Sequence, residues 1–84
     1  MNKTLFVGNL KYEVTNEDLT KIFSEAGTVV SANHVISKMS GRPAGFGFVE
    51  MGSVEEMQKA VELLNGREVA GRAMNVSEKR AKEA

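Results

Sequence analysis

The sequence predicts an α+β sandwich in which two helices cover one face of a four-stranded antiparallel sheet. Two segments carry apolar residues at helical spacing, and each begins at a predicted N-terminal cap. Four further segments have the composition or the alternation of strands, so the order along the chain is β-α-β-β-α-β. That order is typical of the split βαβ, or ferredoxin-like, arrangement.

The first strand and the first helix follow from clear local signals. The strand is predicted over residues 4–10, where an apolar run is interrupted at Gly8. Thr15 and Asp18 have the spacing of a capping box, in which the two residues satisfy each other's backbone N–H groups. The helix is predicted over residues 16–26, since apolar residues recur every three or four positions until a glycine follows.

The second strand is predicted over residues 29–36 from its β-branched composition. Its two faces stay unassigned, because Val29 and Val35 fall on one side while Val30 and Ile36 fall on the other. A polar loop with glycine and proline follows and separates this strand from the next.

The third strand is predicted over residues 45–51, and alternation divides its side chains into two sets. Small and aliphatic residues suit the side that the helices cover. The set predicted for the core is Gly45, Gly47, Val49 and Met51, and the set predicted to point outward is Ala44, Phe46, Phe48 and Glu50.

The remaining helix and strand complete the pattern. Ser53 and Glu56 again have capping-box spacing, and apolar residues at helical intervals predict a helix over residues 54–64. A final strand is predicted over residues 72–77.

The face that no helix covers is the informative one. In the first strand Leu5 and Val7 belong to the core, so Phe6 points outward. If the first and third strands are neighbours, Phe6, Phe46 and Phe48 cluster on an uncovered sheet. Exposed apolar patches of this kind mark binding sites, and flat rings about 5 Å apart suit stacking on bases.

Composition limits the classes of function. The 84 residues suffice for a single small domain, which we expect over residues 1–77 with a short polar tail at 78–84. The chain has no cysteine and one histidine, which excludes a disulfide scaffold and a thiol enzyme and argues against a metal site. Neither a membrane span nor a signal-peptide pattern is present, so we expect a cytoplasmic monomer with no cofactor.

Two segments of the predicted sheet resemble the boxes of a known family. Leu5-Phe6-Val7-Gly8-Asn9-Leu10 is similar to the shorter ribonucleoprotein box of the RNA recognition motif (RRM), and Ala44-Gly45-Phe46-Gly47-Phe48-Val49-Glu50-Met51 is similar to its longer box. The longer box matches the family pattern K/R-G-F/Y-G/A-F-V-x-F/Y except at its first and last positions. The whole chain resembles the short single-RRM proteins of bacteria, notably cyanobacteria. The resemblance implies a binding protein for single-stranded RNA, with a post-transcriptional or RNA-chaperone role, and not an enzyme.

The resemblance also implies roles for single residues. Phe6 would stack on one base and Phe48 on the next, while Phe46 would pack against the sugars between them. The family has a basic, phosphate-contacting residue where this chain has Ala44, and Arg42 is the candidate replacement. Further candidates for RNA contact are Asn33, Asn75, Ser77, Lys79, Arg80 and Lys82.

Other conspicuous residues have structural interpretations. Phe23 lies on an apolar helix stripe and is expected in the core, and Tyr12 is expected to pack against its own domain. His34 is expected to be a partly buried or edge histidine. For Glu50 a solvated carboxylate with no effect on binding is the simpler expectation, and a hydrogen bond from a base amino group is the alternative. A small ferredoxin-like enzyme would have only His34 and Glu50 as reactive groups.

The main alternative function is protein binding. Some RRMs bind peptides through the helical face, using an acidic first helix and an Arg-x-Phe element after the second helix. Glu17, Asp18 and Glu25 supply the acidic helix here, but the second element is Arg67-Glu68-Val69 and lacks the phenylalanine.

The charges balance but are not evenly spread. The chain has 11 basic and 11 acidic residues, for a formal net charge of +0. The predicted helices hold an excess of acidic residues, so the rest of the chain holds an excess of basic ones. We therefore expect RNA binding with a shallow salt dependence, corresponding to about 2–3 phosphate contacts.

Overall fold

The chain follows the predicted order of elements, with one small hairpin added. A computed structural model describes residues 3–69 and 71–78. The elements are β1 (Thr4–Gly8), α1 (Asn16–Phe23), β2 (Val29–Ile36), β3 (Pro43–Met51), α2 (Val54–Leu64), β4 (Glu68–Val69), β5 (Arg72–Ala73) and β6 (Asn75–Glu78). The main sheet is antiparallel with the spatial order β2-β3-β1-β6, which confirms the predicted four-stranded sheet.

The core lies between this sheet and the two helices. Its buried residues include Phe23 and Met51, as predicted. The sheet contributes Leu5, Val7, Val49, Met51 and Val76, and the residue before β6 contributes Met74. The helices contribute Leu19, Phe23, Met57, Ala60 and Leu64. Neither described helix has the length and hydropathy that a membrane-crossing helix requires.

The strand predicted over residues 72–77 is two strands. β5 pairs with β4 in a separate two-stranded sheet. The buried Met74 follows β5 and donates its backbone N–H to the carbonyl of Arg67 at 3.0 Å. Because the N–H of Met74 is hydrogen-bonded to the loop after α2, the chain pairs with β1 only from Asn75 onward.

Helix α1 begins as predicted and ends earlier. The Thr15 hydroxyl accepts the Asp18 N–H at 3.1 Å, and the Asp18 carboxylate accepts the Thr15 N–H at 3.0 Å, so the capping box is present. The helix ends at Phe23 and not at residue 26. Beyond it the N–H groups of Glu25 and Ala26 donate to carbonyls three residues earlier, which tightens the last turn.

Helix α2 has the predicted bounds, but its capping box is only half formed. The Ser53 hydroxyl accepts the N–H of Glu56 at 3.2 Å. The Glu56 carboxylate accepts the Ser53 hydroxyl at 3.0 Å and the backbone N–H of Thr28 at 2.5 Å. Glu56 therefore ties the start of α2 to the loop before β2, which local sequence does not indicate.

Strand β2 is irregular because its register with β3 shifts twice. The shifts lie between Val29 and Ser31 and between His34 and Ile36. The first shift adds one residue on β2 and moves its alternation by one, which is why a strict two-residue period could not assign the faces.

His34 is inside the domain and both of its ring nitrogens are hydrogen-bonded. It is 4% exposed, more buried than the predicted partly buried or edge position. Nδ1 lies 2.7 Å from the carbonyl oxygen of Val14, and Nε2 lies 3.2 Å from the backbone nitrogen of Gly45. A carbonyl only accepts and an N–H only donates, so the ring is the neutral tautomer protonated on Nδ1. The ring thus links β2, β3 and the loop before α1, and neither nitrogen is free for catalysis or metal binding.

Candidate nucleic-acid interface

The predicted aromatic residues lie on the face of the main sheet turned away from the helices, called the open face below. Cα partners in an antiparallel sheet share a face. Phe6 is opposite Phe48 on one side and Ser77 on the other, and Phe48 is opposite Asn33. These residues form one row across all four strands.

Two further rows flank this one. Gly8 of β1 is opposite Asn75 of β6. At the other end Glu50 of β3 lies between Thr4 of β1 and Ser31 of β2. The structure therefore brings the predicted residues Asn33, Asn75 and Ser77 to the open face, where all three are exposed.

The three phenylalanine rings contact one another. Phe6 and Phe46 are stacked, with centroids 5.8 Å apart and an interplanar angle of 26°. Phe48 meets both rings edge-on, at 5.9 Å from Phe6 and 6.1 Å from Phe46. All three residues are half-buried, so the cluster keeps ring surface open to solvent. The predicted cluster is thus present as one aromatic surface.

Glycine makes room for this arrangement. A Cβ atom on Gly8 would lie 3.0 Å from Cε2 of Phe6, so the Phe6 ring lies over the position that a side chain would fill. In the sequence Gly8 is only an interruption of an apolar run. Its role in seating the ring is visible only when the two residues are seen together.

The loop between β2 and β3 carries the candidate phosphate ligand. Arg42 is exposed at the end of this loop, just before β3. The loop closes through a bond from the Ser37 N–H to the Arg42 carbonyl at 2.8 Å. Ala44, which stands at the family's basic position, is exposed and has no hydrogen-bonding side chain.

The basic residues predicted to extend the site, Lys79, Arg80 and Lys82, lie outside the described residues. The chain is described as far as Glu78, which ends β6.

One residue that sequence analysis missed is Asn9, which follows β1 with a positive φ of 59°. Its side-chain amide donates to the carbonyl of Ala73 at 2.7 Å. Asparagine tolerates this left-handed conformation better than most residues. The bond holds the end of β1 to the segment that leads into β6.

The prediction for Tyr12 was wrong, since the side chain is 63% exposed. Leu10 and Val14 on either side of it are buried and occupy the available core space. Tyr12 instead borders a cleft of about 450 Å³ beside the open face, lined further by Val14, Thr15, Asn16, Glu17, Asn33, His34, Ile36 and Pro43.

The charges of the described residues favour the open face over the helical side for RNA. Glu17 and Asp18 lie in the first turn of α1, and Glu55 and Glu56 lie in the first turn of α2.

The described residues contain no group of three or more His, Cys, Asp or Glu side chains placed to hold a metal ion. The chemistry available on the open face is therefore stacking and neutral hydrogen bonding, with a single carboxylate at Glu50.

Comparison with known proteins agrees with this geometry. The family model described as RNA recognition motif matches residues 5–75. The putative RNA-binding protein RbpA of Nostoc sp. is 44% identical over 80 residues, which cover 95% of this chain and 78% of that protein. The chloroplastic RNA-binding protein CP33 of Arabidopsis thaliana is 47% identical over 73 residues, which cover 87% of this chain. This chain spans only 22% of the length of CP33.

Among solved structures, the crystal structure of RNA Binding Protein PG1 matches with a TM-score of 0.88 and 37% sequence identity. The match covers 99% of this chain and 100% of that chain.

Proposed function

The chain belongs to the RNA recognition motif family, and we propose that it binds single-stranded RNA on the open face of its sheet. The observation that carries this proposal is the contact among the rings of Phe6, Phe46 and Phe48 on a face that no helix covers. Aromatic rings exposed in this way stack on unpaired bases, at about 1–3 kcal/mol per base.

The residues divide into four roles in this proposal. Phe6 and Phe48 each stack on one base, and Phe46 packs against the sugars between them. Arg42 contacts a phosphate in place of the absent basic residue at position 44. The groups that meet base edges or further phosphates are Asn33, Asn75, Ser77, Lys79 and Arg80.

This mechanism sets the strength of binding. Two stacked bases with few phosphate contacts give an affinity in the micromolar range for a site of about 2–4 nucleotides. Packing of Phe46 on ribose favours RNA over DNA, because the 2′-hydroxyl distinguishes the two sugars.

The biological role proposed is that of a post-transcriptional or RNA-chaperone factor acting as a cytoplasmic monomer in a bacterium. RbpA of Nostoc sp., of which this chain covers 78%, is named a putative RNA-binding protein, and this similarity supports a role in RNA binding. Relatives from chloroplasts also occur, and in CP33 the matching segment is a minor part of a longer protein. A domain over residues 1–77 with a polar tail remains part of the proposal.

The family and the names of these relatives place the chain among binding proteins and not among enzymes. The protein-binding alternative has less support. Glu25 of the acidic helical side is already ion-paired with Arg67 at 3.0 Å. Val69, which stands where peptide-binding RRMs have phenylalanine, packs against the core.

The direct test is a titration of the native protein and of Phe6→Ala/Phe48→Ala with short fluorescent single-stranded RNAs of mixed sequence. We expect the double variant to lose at least about tenfold in affinity, since it lacks both stacking platforms. Leu63→Ala is the matched control, because Leu63 is an apolar side chain 46% exposed on α2.

The Leu63→Ala protein should bind RNA as the native protein does, and circular dichroism should show that both variants are folded. If the native protein does not bind RNA, or if the folded double variant binds equally well, the proposed function is wrong. The acidic helical side would then be examined for protein partners.

A further inference from the structure

A single carboxylate interrupts an otherwise neutral open face. Among the described residues of this face, only Glu50 carries a charge. Its neighbours across the strands are Thr4 and Ser31, which are both hydroxyl residues. No lysine or arginine within residues 3–69 and 71–78 forms an ion pair with Glu50. The carboxylate is therefore not neutralised by the part of the domain that the structure describes.

Glu50 borders the surface on which a base would stack. It follows Phe48 on the same face of β3 with one residue between them, so their Cα atoms are about 6–7 Å apart. On the other side of Phe48 lies the ring of Phe46, at 6.1 Å. A base stacked on Phe48 thus has an aromatic neighbour on one side and the Glu50 carboxylate on the other.

A carboxylate at this position restricts what part of the RNA comes near it. It repels a phosphate, and it has acceptor oxygens but no donor. The favourable partner is a base edge that presents donors. Guanine has two donors side by side, N1–H and the N2 amino group, which match the two oxygens of one carboxylate. Adenine and cytosine each place one amino group beside an acceptor nitrogen, and uracil places one N–H between two carbonyls.

From this complementarity we propose that Glu50 selects guanine for the base that stacks on Phe48. The inference rests on the proposed function, since it requires RNA on the open face. A bidentate contact of this kind favours guanine over the other bases by about tenfold.

The test uses tetranucleotides of uridine in which one position at a time carries guanosine, adenosine, cytidine or inosine. Inosine keeps the N1–H of guanosine and lacks the 2-amino group. These RNAs are titrated into the native protein, Glu50→Gln and Glu62→Gln. Glu62 is exposed on α2, so its variant makes the same change of charge away from the sheet.

The native protein and Glu62→Gln should prefer guanosine at one position by about tenfold, and inosine there should lose most of the preference. In Glu50→Gln the preference should fall below about threefold, with guanosine and inosine bound nearly equally. The inference is overturned if the native protein binds these RNAs without preferring guanosine, or if Glu50→Gln keeps the preference. Failure of the native protein to bind any of them would instead contradict the proposed function itself.

Discussion

Gly47 shows how single residues on the covered side of the sheet determine the geometry of the open face. It separates Phe46 from Phe48 and is buried on the helical side. A Cβ atom there would lie 3.0 Å from the Cα of His34 on β2, and closer still to the backbone of Asn33. The absence of a side chain lets β2 and β3 approach, which keeps Asn33 in the same row as Phe48. His34 supports the same junction through its bond to Gly45.

At the residue scale the proposed phosphate contact of Arg42 can be tested directly. Arg42→Ala should weaken binding about fourfold at 0.15 M salt, by a similar factor for every RNA sequence, because one phosphate contact is lost. The slope of log K against log salt should become shallower by about 0.7. Fluorescence titrations at several salt concentrations measure both quantities.

Lys21→Ala is the control for this change. Lys21 is an exposed basic residue of α1 that pairs loosely with Glu17 at 3.9 Å, on the helical side of the domain. Lys21→Ala changes the net charge by the same amount as Arg42→Ala, but its RNA affinity should stay within about twofold of that of the native protein. Equal effects of the two substitutions would mean that Arg42 acts through overall charge and not through a phosphate contact.

At the scale of elements, the helices depend on carboxylates at their first turns. The Thr28 N–H and the Ser53 hydroxyl hydrogen-bond to the Glu56 carboxylate and hold its pKa below the ordinary value. Hydrogen bonding to Thr15, chiefly from its backbone N–H, lowers the pKa of Asp18 in the same way. The bond to Thr28 joins the start of α2 to the loop before β2, whereas the bond to Thr15 closes the capping box of α1. The starts of both helices are therefore sensitive to acid.

The sign of this pH dependence follows from the lowered pKa. A carboxyl whose pKa is lower in the folded state stabilises the fold at pH values above its pKa in the unfolded state. This contribution is lost as the pH falls through the pKa of the folded state. The free energy of unfolding of the native protein should therefore decrease between about pH 5 and pH 3. The free energy of unfolding of Glu56→Gln should be lower than that of the native protein at pH 7 and should decrease less on acidification. Urea unfolding at a series of pH values measures this.

The matched control is Glu55→Gln. Glu55 is an exposed carboxylate in the same first turn of α2. Like Glu56 it interacts with the helix dipole, but it has no bond to Thr28. The role assigned to Glu56 would be refuted by finding the same pH profile in both variants.

At the scale of the whole molecule, zero net charge conceals an uneven distribution. The first turns of both helices are acidic, whereas Arg42 lies at the loop before β3. The aromatic cluster occupies the opposite side of the sheet from the helices. The proposed site therefore relies on stacking more than on long-range attraction of phosphate.

This distribution predicts a weak response of binding to salt. With about 2–3 phosphate contacts to a single strand, log K should fall against log salt with a slope of about −1.4 to −2.1. Titrations between 50 and 500 mM salt give the slope. A slope of about −4 or steeper would show that phosphate contacts, and not stacking, dominate the affinity.

Much of this site could be predicted because strand alternation is local. The two-residue period, together with the apolar residues assigned to the core, predicted that Phe6, Phe46 and Phe48 point outward, and the sheet order brings them into contact. The position of Asn33 on that face could not be read from alternation, because the bulge between Val29 and Ser31 changes the phase of β2. The exposure of Tyr12 also could not be predicted, because it depends on Leu10 and Val14 occupying the core space beside it.

The sequence by itself determined the order of the elements, both helix starts, the core set of the third strand and the aromatic face, since each depends on spacing within a few residues. Only the tertiary structure decided where α1 ends and how Met74 divides the last predicted strand. It also decided that Glu56 binds Thr28 and which groups hydrogen-bond to the His34 ring. Each of those outcomes depends on a backbone or carboxylate group finding a partner distant in sequence. Such partners meet only when the chain has folded, and a buried group such as the His34 ring then requires hydrogen-bonding partners.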